Sequence, residues 1–486
     1  MRRFSAFLTS LLLFGPAVLS AADPEAWRSP MPAQPEILLV RGATVWTSGP
    51  AGMLENADVL VRRGRIAAVG LHLEAPAGAL VIDAAGKHVT PGIIDAHSHI
   101  AVDGEVNEGT HIVTSEVRIR DVLNPEDPSI YYQLAGGTTT ANVLHGSANA
   151  IGGQNAVIKL RWGAPATELL FAGATPTVKF ALGENPKRSN RFPGDGPDRF
   201  PQTRQGVEQV IRTAFTAAQD YRRRQLAYRP GSDQVPPRRD LQLDALVEVL
   251  EGTRKVHSHC YRADEILMLL RVAEDFDFRI GTLQHVLEGY KVADEIAAHG
   301  AGASTFSDWW AFKYEVIDAI PYNPALMYER GVLVSLNSDN DELGRRLNQE
   351  AAKAVRYGGV PPTEALKMVT LNPALQLGVA DRVGSLEPGK DADFVIWSGS
   401  PLSTASLAEQ TWVDGRKYFD RAEDLAARPQ LEAERLALMA KVRALKAPPK
   451  ADDAAKPEDE APAPELIDGP PPAHGRSTTS QEHGQP

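Results

Sequence analysis

The stretch Val89–Ile100 reads VTPGIIDAHSHI and sets two histidines, His97 and His99, at the end of an apolar run typical of a buried β-strand. Residues two apart on a strand face the same side, so both imidazoles point in one direction. Imidazole is a common ligand of zinc and related ions. The pair alone is weak evidence, because two solvent-facing histidines in a loop give the same pattern. The stretch therefore indicates a candidate metal site at a strand end.

The region around this stretch, residues 91–375, alternates short apolar segments with helical ones. The strand candidates in it are GIIDAHSHI, TTTANVLHG, TPTVKFAL, RKVHSHC, RIGTLQHV and VLVSLNSD. Such alternation predicts a parallel sheet with helices packed on it. Periodicity alone does not separate an open sheet from a closed one, but the length of the region favours a closed (β/α)8 TIM barrel.

Two segments rich in β-forming residues flank this region, residues 37–90 and residues 376–420. The first contains ILLVRGATVW and ADVLVRRGRIAAVG, and the second contains DRVGSLEPGKDADFVIW and TWVDGRKYFD. Short β-rich runs separated by glycines are typical of antiparallel strands. We therefore predict one small β-sandwich assembled from both ends of the chain.

The first residues, 1–22, have the pattern of a secretory signal. Arg2 and Arg3 provide positive charge, Phe7–Leu19 is apolar but short for a membrane span, and Ala21 and Ala22 fit a cleavage site. Residues 23–36 are Pro-rich and are predicted to be a linker. We therefore expect a periplasmic or secreted protein that has no contact with the membrane after cleavage.

The last residues divide into two segments. Residues 421–446 have the pattern of an amphipathic helix. Residues 447–486 contain nine prolines, no aromatic residue, and eight carboxylates against three Lys or Arg. Such a composition buries too little apolar surface to offset the entropy of ordering, so it predicts a disordered tail.

The charge argues against a nucleic-acid-binding protein, and the cysteine content excludes an internal disulfide. The formal charge is -11 and the isoelectric point is about 5.6, whereas domains that bind nucleic acid are usually basic. Cys260 is the single cysteine, so the chain forms no internal disulfide. The composition therefore indicates no nucleic-acid partner.

The motifs together resemble the amidohydrolase superfamily over residues 37–420, and within it the imidazolonepropionase-like and prolidase-like members. TPGIIDAHSH is similar to the first barrel strand of the family, and VGSLEPGKDADFVIW to its return to the small β-domain. The more distinctive pieces are GGTTT, GSANAIGGQNAVIKLR, KFALGENPKR and HCYRADEI. The resemblance implies a metal-dependent hydrolase with its active site at the mouth of the barrel.

The resemblance also implies further metal ligands at strand ends. His285 in GTLQHV matches the sixth-strand histidine, and Asp339 in VLVSLNSD matches the eighth-strand aspartate, with Asp341 as the nearby alternative. The fifth strand offers both His257 and His259. We favour His259, which lies nearer the carboxyl end of the strand, where barrel active sites lie.

A bridging ligand is expected between two divalent metal ions, for which zinc is the expected element. Many relatives use a carboxylated lysine, and Lys179 on the apolar strand TPTVKFAL fits that role. A charged lysine would be costly there, whereas a carbamate is an anion that two cations neutralise. Glu184 is the alternative, because some relatives use a glutamate at a strand end.

Candidate substrate contacts are less well defined by the sequence. His145 and Tyr290 resemble residues that line family active sites, and Arg262 could meet a substrate carboxylate or pair with a neighbouring acidic side chain. Gln154 follows two glycines, Gly152 and Gly153, in what the sequence suggests is a loop that either shapes a pocket or only turns the chain.

The expected reaction is hydrolysis of an amide-type carbon–nitrogen bond in a small substrate. Asp339 would move the proton of the attacking water to the leaving nitrogen. Deaminases of the superfamily carry a glutamate three residues after the fifth-strand histidine, where this chain has Arg262, or Cys260 if His257 is the ligand. A deaminase or cyclic-amide hydrolase stays an alternative, as does an exported binding protein without catalysis; assembly into a homo-oligomer is left open.

Export leads to a direct prediction. Protein isolated from its native host should begin at Ala22 or Asp23, because the small residues before them suit cleavage after the apolar run. N-terminal sequencing measures this. An intact Met1 on protein recovered from the cytoplasm would contradict it.

Overall fold

The computed structural model describes residues 30–189, 199–307 and 313–446. The predicted signal segment, the first half of the predicted linker and the predicted acidic tail lie outside these residues. The strands are β1 Ile37–Trp46, β2 Met53–Arg62, β3 Arg65–Leu71, β4 Leu80–Asp83, β5 His88–Pro91, β6 Ile93–Ser98, β7 Thr138–Val143, β8 Ile151–Gln154, β9 Ala156–Lys159, β10 Thr177–Ala181, β11 Lys255–Cys260, β12 Ile280–His285, β13 Gly302–Thr305, β14 Leu333–Leu336, β15 Phe394–Trp397, β16 Ala408–Val413 and β17 Arg416–Asp420.

The α-helices lie mainly between the strands of the middle region. They are α1 Pro128–Leu134, α2 Ala166–Leu169, α3 Arg204–Ala227, α4 Leu241–Leu250, α5 Ala263–Asp275, α6 Ala293–His299, α7 Asn323–Glu329, α8 Leu347–Gly358, α9 Pro362–Lys367, α10 Leu371–Gln376 and α11 Arg421–Lys446. In the part of the chain that the structure covers, no helix is both long enough and apolar enough to cross a bilayer.

Strands from both ends of the chain form one eight-stranded sheet. Its order is β17-β16-β15-β5-β1-β2-β3, with β4 paired to β1. Two tight hairpins lie in it, at Arg63-Gly64 and at Asp414-Gly415, and all four residues have positive φ, as type I′ turns require. The union of the two flanking segments in one sheet follows the predicted pairing, whereas a separate sandwich domain stays a prediction.

The middle region is a mixed α/β structure. Strands β10 to β14 run parallel to one another and form a six-stranded sheet, with β8 antiparallel to β10 at its edge. Strands β6, β7 and β9 form a three-stranded sheet in which β6 and β7 are parallel and β9 is antiparallel to β7. Helices connect the parallel strands, as such connections require. In α5, the buried side chains Ile266, Leu269, Leu270 and Ala273 follow the helical period, so one face covers the sheet.

The carboxyl ends of β6 and β14 meet. The backbone N–H of Asp339 donates to the carbonyl of His97 at 2.9 Å. Ser338 donates to Asp95 through its N–H at 3.0 Å and through its hydroxyl at 2.5 Å. Burial raises the pKa of Asp95 to about 7, against the effect of these hydrogen bonds. The first and last strands of the middle region are thereby joined where the candidate site lies.

A buried lysine, Lys159 on β9, ties the three-stranded sheet to the eight-stranded sheet. Its ammonium lies 2.8 Å from Asp391, 3.1 Å from Asp393 and 2.5 Å from Asp414. Burial alone lowers the pKa of Lys159, but the three carboxylates outweigh burial and raise it. Arg382 also pairs with Asp391, at 2.6 Å. The lysine therefore stays charged inside a network that spans both sheets.

Removal of this one cation should destabilise the protein. Lys159→Met keeps the length of the side chain but leaves three carboxylates without their shared partner, and loss of one member of a buried ion pair costs about 3–5 kcal/mol. Lys87→Met is a matched control, because Lys87 pairs with Glu409 at the surface, where such pairs contribute about 1 kcal/mol or less. Urea unfolding measures both free energies; equal, small losses would show that the buried network is dispensable.

Candidate metal centre

Three predicted ligands lie together at the junction of β6 and β14. The Nε2 atoms of His97 and His99 are 3.3 Å apart, and they lie 3.2 and 3.0 Å from Oδ1 of Asp339. One ligand atom from each of the three residues falls within 4.8 Å of the others. Two imidazoles and a carboxylate in this arrangement suit a divalent ion of the zinc type.

The backbone holds these side chains in place. The Nδ1 of His99 contacts the carbonyl oxygen of Leu144 at 2.9 Å, which leaves Nε2 to face the cluster. Asp339 has a φ of 46° and His285 a φ of 67°, in a region that residues other than glycine rarely occupy. Such strained backbone is often found at functional sites, where the surrounding structure maintains it.

Two more histidines complete a second group beside the first. The ring of His285 is 4.7 Å from that of His97 and 4.6 Å from that of His259. The hydroxyl of Ser147 contacts Nδ1 of His259 at 3.0 Å. Among the described residues, buried Nε2 of His259 and buried Nδ1 of His285 find no hydrogen-bond partner. Buried polar atoms normally have a partner, so these nitrogens fit a group that the chain itself does not provide.

Of the two candidates for the bridging ligand, only Lys179 reaches the cluster. It is fully buried on β10, and its Nζ lies 3.2 Å from Nε2 of His97. The side chain of Glu184 is 40% exposed and lies 3.8 Å from Arg204. The geometry therefore favours Lys179 over Glu184 as a residue that could contact a metal.

The histidines of the fifth strand occupy different depths. His259 lies beside His285 at the strand end, as above. His257 lies one step deeper, where its Nδ1 contacts Nε2 of Gln284 at 3.2 Å and Nδ2 of Asn142 at 3.4 Å. Since both histidines are on the same face of β11, their depth, and not their direction, separates them. The structure thus brings His259 into the cluster and sets His257 behind it.

The protonation states favour metal binding. Burial lowers the pKa of His285 to about 3 and that of His97 and His259 well below the usual range, and the positive charge of Lys179 adds to the effect in all three. For Asp339, burial raises the pKa, but the hydrogen bond from His99 and nearby positive charge outweigh burial, so the pKa is lowered overall. Neutral imidazoles and an ionised carboxylate are the forms that bind metals, so the residues fit a divalent ion.

The four predicted substrate contacts are engaged elsewhere in this structure. His145 contacts the carbonyl of Gly146 with Nδ1 and accepts the N–H of Glu108 at Nε2, both at 2.9 Å. The side chain of Gln154 donates to the carbonyl of Ser115 at 3.0 Å.

Arg262 pairs with Asp264 at 3.0 Å, one of the alternatives that the sequence left open. The hydroxyl of Tyr290 donates to the carbonyl of Asp318 at 3.0 Å. Their substrate roles stay predictions.

One segment differs from its predicted form. Gly152, Gly153 and Gln154, expected in a loop, form most of β8. The ring of His145 packs against this strand: a Cβ on Gly152 would lie 2.7 Å from Nδ1 of His145, and a Cβ on Gly153 would lie 2.9 Å from its Cδ2. The glycines therefore permit close packing against the ring and do not mark a turn.

Sequence reasoning missed the polar residues that support the ligands. Asn142 on β7 and Gln284 on β12 are fully buried, and Ser147 follows β7. The signal that could have found them is a carboxamide inside an otherwise apolar strand, as in TTTANV and GTLQH. Buried carboxamides need partners, and the neighbouring polar groups here are histidines.

Comparison with known proteins identifies a matching family and several relatives. A sequence model of the Amidohydrolase family matches residues 88–419. Amidohydrolase tasK from Hapsidospora irregularis is 32% identical over 443 residues, which cover 82% of this chain and 44% of that protein, so the chain spans less than half of that relative. An imidazolonepropionase from Thermoplasma volcanium is 23% identical and covers 71% of this chain and 84% of its own.

A deaminase and a solved amidohydrolase structure are also similar to this chain. A 5-methylthioadenosine/S-adenosylhomocysteine deaminase from Symbiobacterium thermophilum is 26% identical and covers 74% of this chain and 85% of its own. Among solved structures, an amidohydrolase from Thermotoga maritima MSB8 is 36% identical, with a TM-score of 0.72, and covers 79% of this chain and 100% of its own.

Proposed function

Since the chain belongs to the amidohydrolase family, we propose that it is a metal-dependent hydrolase that cleaves an amide-type carbon–nitrogen bond in a small substrate. The family is the one that the sequence motifs predict. The observation that carries the proposal is the convergence of His97, His99 and Asp339, whose ligand atoms lie within 4.8 Å of one another. Dipeptides, N-acyl amino acids and cyclic amides are the substrate classes to screen first.

The proposal includes a closed barrel made of the three-stranded and six-stranded sheets. Two junctions support it. The first is the hydrogen bond from Asp339 to the carbonyl of His97, which joins β14 to β6. The second is the bond from the N–H of Asn155, which follows β8, to the carbonyl of Thr177 on β10 at 3.2 Å. With both junctions made, the sheets would form one ring whose strand ends surround the cluster. In that ring β8 and β9 run antiparallel to their neighbours, whereas a (β/α)8 barrel has eight parallel strands.

We propose that two divalent ions, with zinc as the expected element, bind in the cluster. His97, His99 and Asp339 would hold one ion and His259 and His285 the other, with a carboxylated Lys179 between them. A bound divalent ion polarises a carbonyl oxygen and lowers the pKa of water, which provides a nucleophile at neutral pH. A carbamate on Lys179 would replace a buried positive charge by a negative one, which suits a site for two cations.

The side chains of the chain then carry the proton. The carboxyl group of Asp339 is almost buried and lies beside Nε2 of His97 and of His99, so it is placed to accept a proton from the attacking water. The same carboxyl group would pass that proton to the nitrogen that leaves. His97 stays neutral at working pH because burial lowers its pKa well below the usual range, and the carbonyl of Leu144 occupies Nδ1 of His99 and leaves Nε2 toward the cluster.

A deaminase is the second candidate, since relatives at 26% and 23% identity carry that name. Against it, Arg262 stands where superfamily deaminases place a glutamate, and its guanidinium pairs with Asp264. Release of ammonia from a purine or related amine would identify a deaminase, whereas amide cleavage without ammonia supports the first proposal.

We also propose that the enzyme is exported, on the signal pattern of its first residues.

Asp339→Asn should slow turnover strongly while the fold persists. Loss of general acid–base catalysis alone reduces rates roughly 10²–10⁴-fold. The measurement is kcat/KM on the best substrate from the screen, with circular dichroism as a check of folding. Asp341→Asn is the control, because Asp341 contacts the N–H of Glu342 and not the cluster. Near-normal turnover in Asp339→Asn would remove the proton role from this residue.

Lys179→Ala should cost at least one of two bound metals, because the bridging group is lost. Metal content per chain is measured after dialysis, and short carboxylic acids added with metal should restore part of the activity by replacing the carbamate. Glu184→Ala is the control and should keep both ions. One ion per wild-type chain, unaffected by Lys179→Ala but lost in Glu184→Ala, would instead support a single-metal site with a glutamate ligand.

A further inference from the structure

We propose that His257 is a positioning residue: acting through Gln284, it holds His97 in the tautomer whose Nε2 lone pair faces the candidate metal centre. The inference rests on the proposed metal-dependent function, and it assigns a role to the fifth-strand histidine that lies outside the cluster. It is carried by four buried side chains on β6, β7, β11 and β12, each joined to the next by a hydrogen bond.

The direction of the chain of hydrogen bonds is set at its first group, a backbone carbonyl. The side chain of Asn142 places Nδ2 3.1 Å from the carbonyl oxygen of Ala96. A carbonyl only accepts, so this end of Asn142 is the amide nitrogen. The same nitrogen lies 3.4 Å from Nδ1 of His257 and has a second hydrogen to donate. Nδ1 of His257 is therefore the acceptor, and the ring hydrogen lies on Nε2, a buried atom that has no hydrogen-bond partner among the described residues.

Gln284 transmits this polarity to the metal side. Its Nε2 lies 3.2 Å from Nδ1 of His257, so it adds a second donor to the same acceptor. Its Oε1 lies 3.1 Å from Nδ1 of His97. Because a carboxamide oxygen only accepts, Nδ1 of His97 carries the hydrogen and Nε2 keeps its lone pair. That Nε2 lies 3.2 Å from Asp339, inside the cluster.

The opposite polarity makes fewer hydrogen bonds in the same geometry. If Gln284 were turned over, its oxygen would face His257, whose Nδ1 would then need a hydrogen. That hydrogen would serve the oxygen of Gln284, so the second hydrogen of the Asn142 amide would lose its acceptor, and a turned Asn142 would set its oxygen against the carbonyl of Ala96. His257, Gln284 and Asn142 are all buried, so bulk water cannot exchange for these contacts. The backbone of β6 thus selects the tautomer of a ligand on β6.

His99 offers an internal comparison. Its Nδ1 meets a backbone carbonyl, that of Leu144, directly, so no side-chain substitution removes its partner. The partner of His97 is a side chain whose orientation depends on His257. Second partners of metal-binding histidines fix the tautomer and ring orientation, and their loss typically lowers metal affinity 10–100-fold. Substitution at His257 should therefore act on His97 and not on His99.

The test compares two variants of matched purpose. His257→Leu removes the acceptor, whereas His257→Asn can keep an acceptor oxygen near the position of Nδ1. Zinc affinity is measured by competition with a chelator, and the absorption spectrum of the cobalt-loaded protein reports ligand geometry. We expect His257→Leu to bind zinc about 10–100-fold more weakly with an altered cobalt spectrum. His257→Asn should stay within about threefold of wild type.

A second readout needs no metal. Nitrogen-15 spectra of histidine-labelled, metal-free protein distinguish the two tautomers, and the His97 signal is identified by its loss in His97→Gln. We expect the Nδ1–H tautomer in wild type and in His257→Asn, and a mixture or the other tautomer in His257→Leu. Gln284→Met should reproduce the effect of His257→Leu, so the readout survives if His257→Leu fails to fold.

The outcomes separate this proposal from the function on which it rests. Equal zinc affinity and an unchanged His97 tautomer in wild type, His257→Leu and Gln284→Met would overturn the positioning role while leaving the metal site intact. Equal losses in His257→Leu and His257→Asn would also overturn it, because a role in packing alone predicts that result. A wild-type chain that binds no divalent ion, with the Nδ1–H tautomer present, would instead reject the proposed function.

Discussion

The hydrogen bond from the N–H of Asp339 to the carbonyl of His97 joins the last strand of the middle region to the first. It brings residues that are far apart in the chain into one site, because β6 carries two histidines and the residue after β14 carries the carboxylate. Asp95 reinforces the junction through two bonds from Ser338. Without this contact the carboxylate of Asp339 would not lie between Nε2 of His97 and Nε2 of His99.

Charge balance is the second constraint on this site. Three buried imidazoles, the partly exposed imidazole of His99 and a buried lysine surround one carboxylate, and burial disfavours every charged form except where a partner offsets it. The three buried imidazoles stay neutral, and the pKa of His285 is lowered to about 3. A positively charged Lys179 would repel a metal ion beside it, unless its side chain becomes an anion. A carbamate on its nitrogen and cations beside it would satisfy both groups together, which is why the proposed function couples them.

Much of the site could be predicted from the sequence, because strand period and strand ends are local properties. His97 and His99 follow from alternation, and His259, His285 and Asp339 follow from their places at the ends of apolar runs in a recognisable family.

The supporting residues could not be predicted. Asn142 and Gln284 matter only because β7 and β12 flank β6 and β11 in space, and no local pattern shows which strands become neighbours. The same holds for Lys159, whose three carboxylate partners lie more than 200 residues later in the chain. Arg262 shows the limit differently: its type suited a substrate anion, but Asp264, two residues away, takes its guanidinium.

Anomalous X-ray diffraction at the zinc absorption edge, from crystals of the metal-loaded protein, tests the central claim most directly. The account predicts two anomalous peaks, one against His97, His99 and Asp339 and the other against His259 and His285. It also predicts electron density for a carboxyl group on Nζ of Lys179 that reaches both peaks. Anomalous peaks elsewhere in the molecule with none among these residues, or a single peak beside an unmodified Lys179, would contradict it.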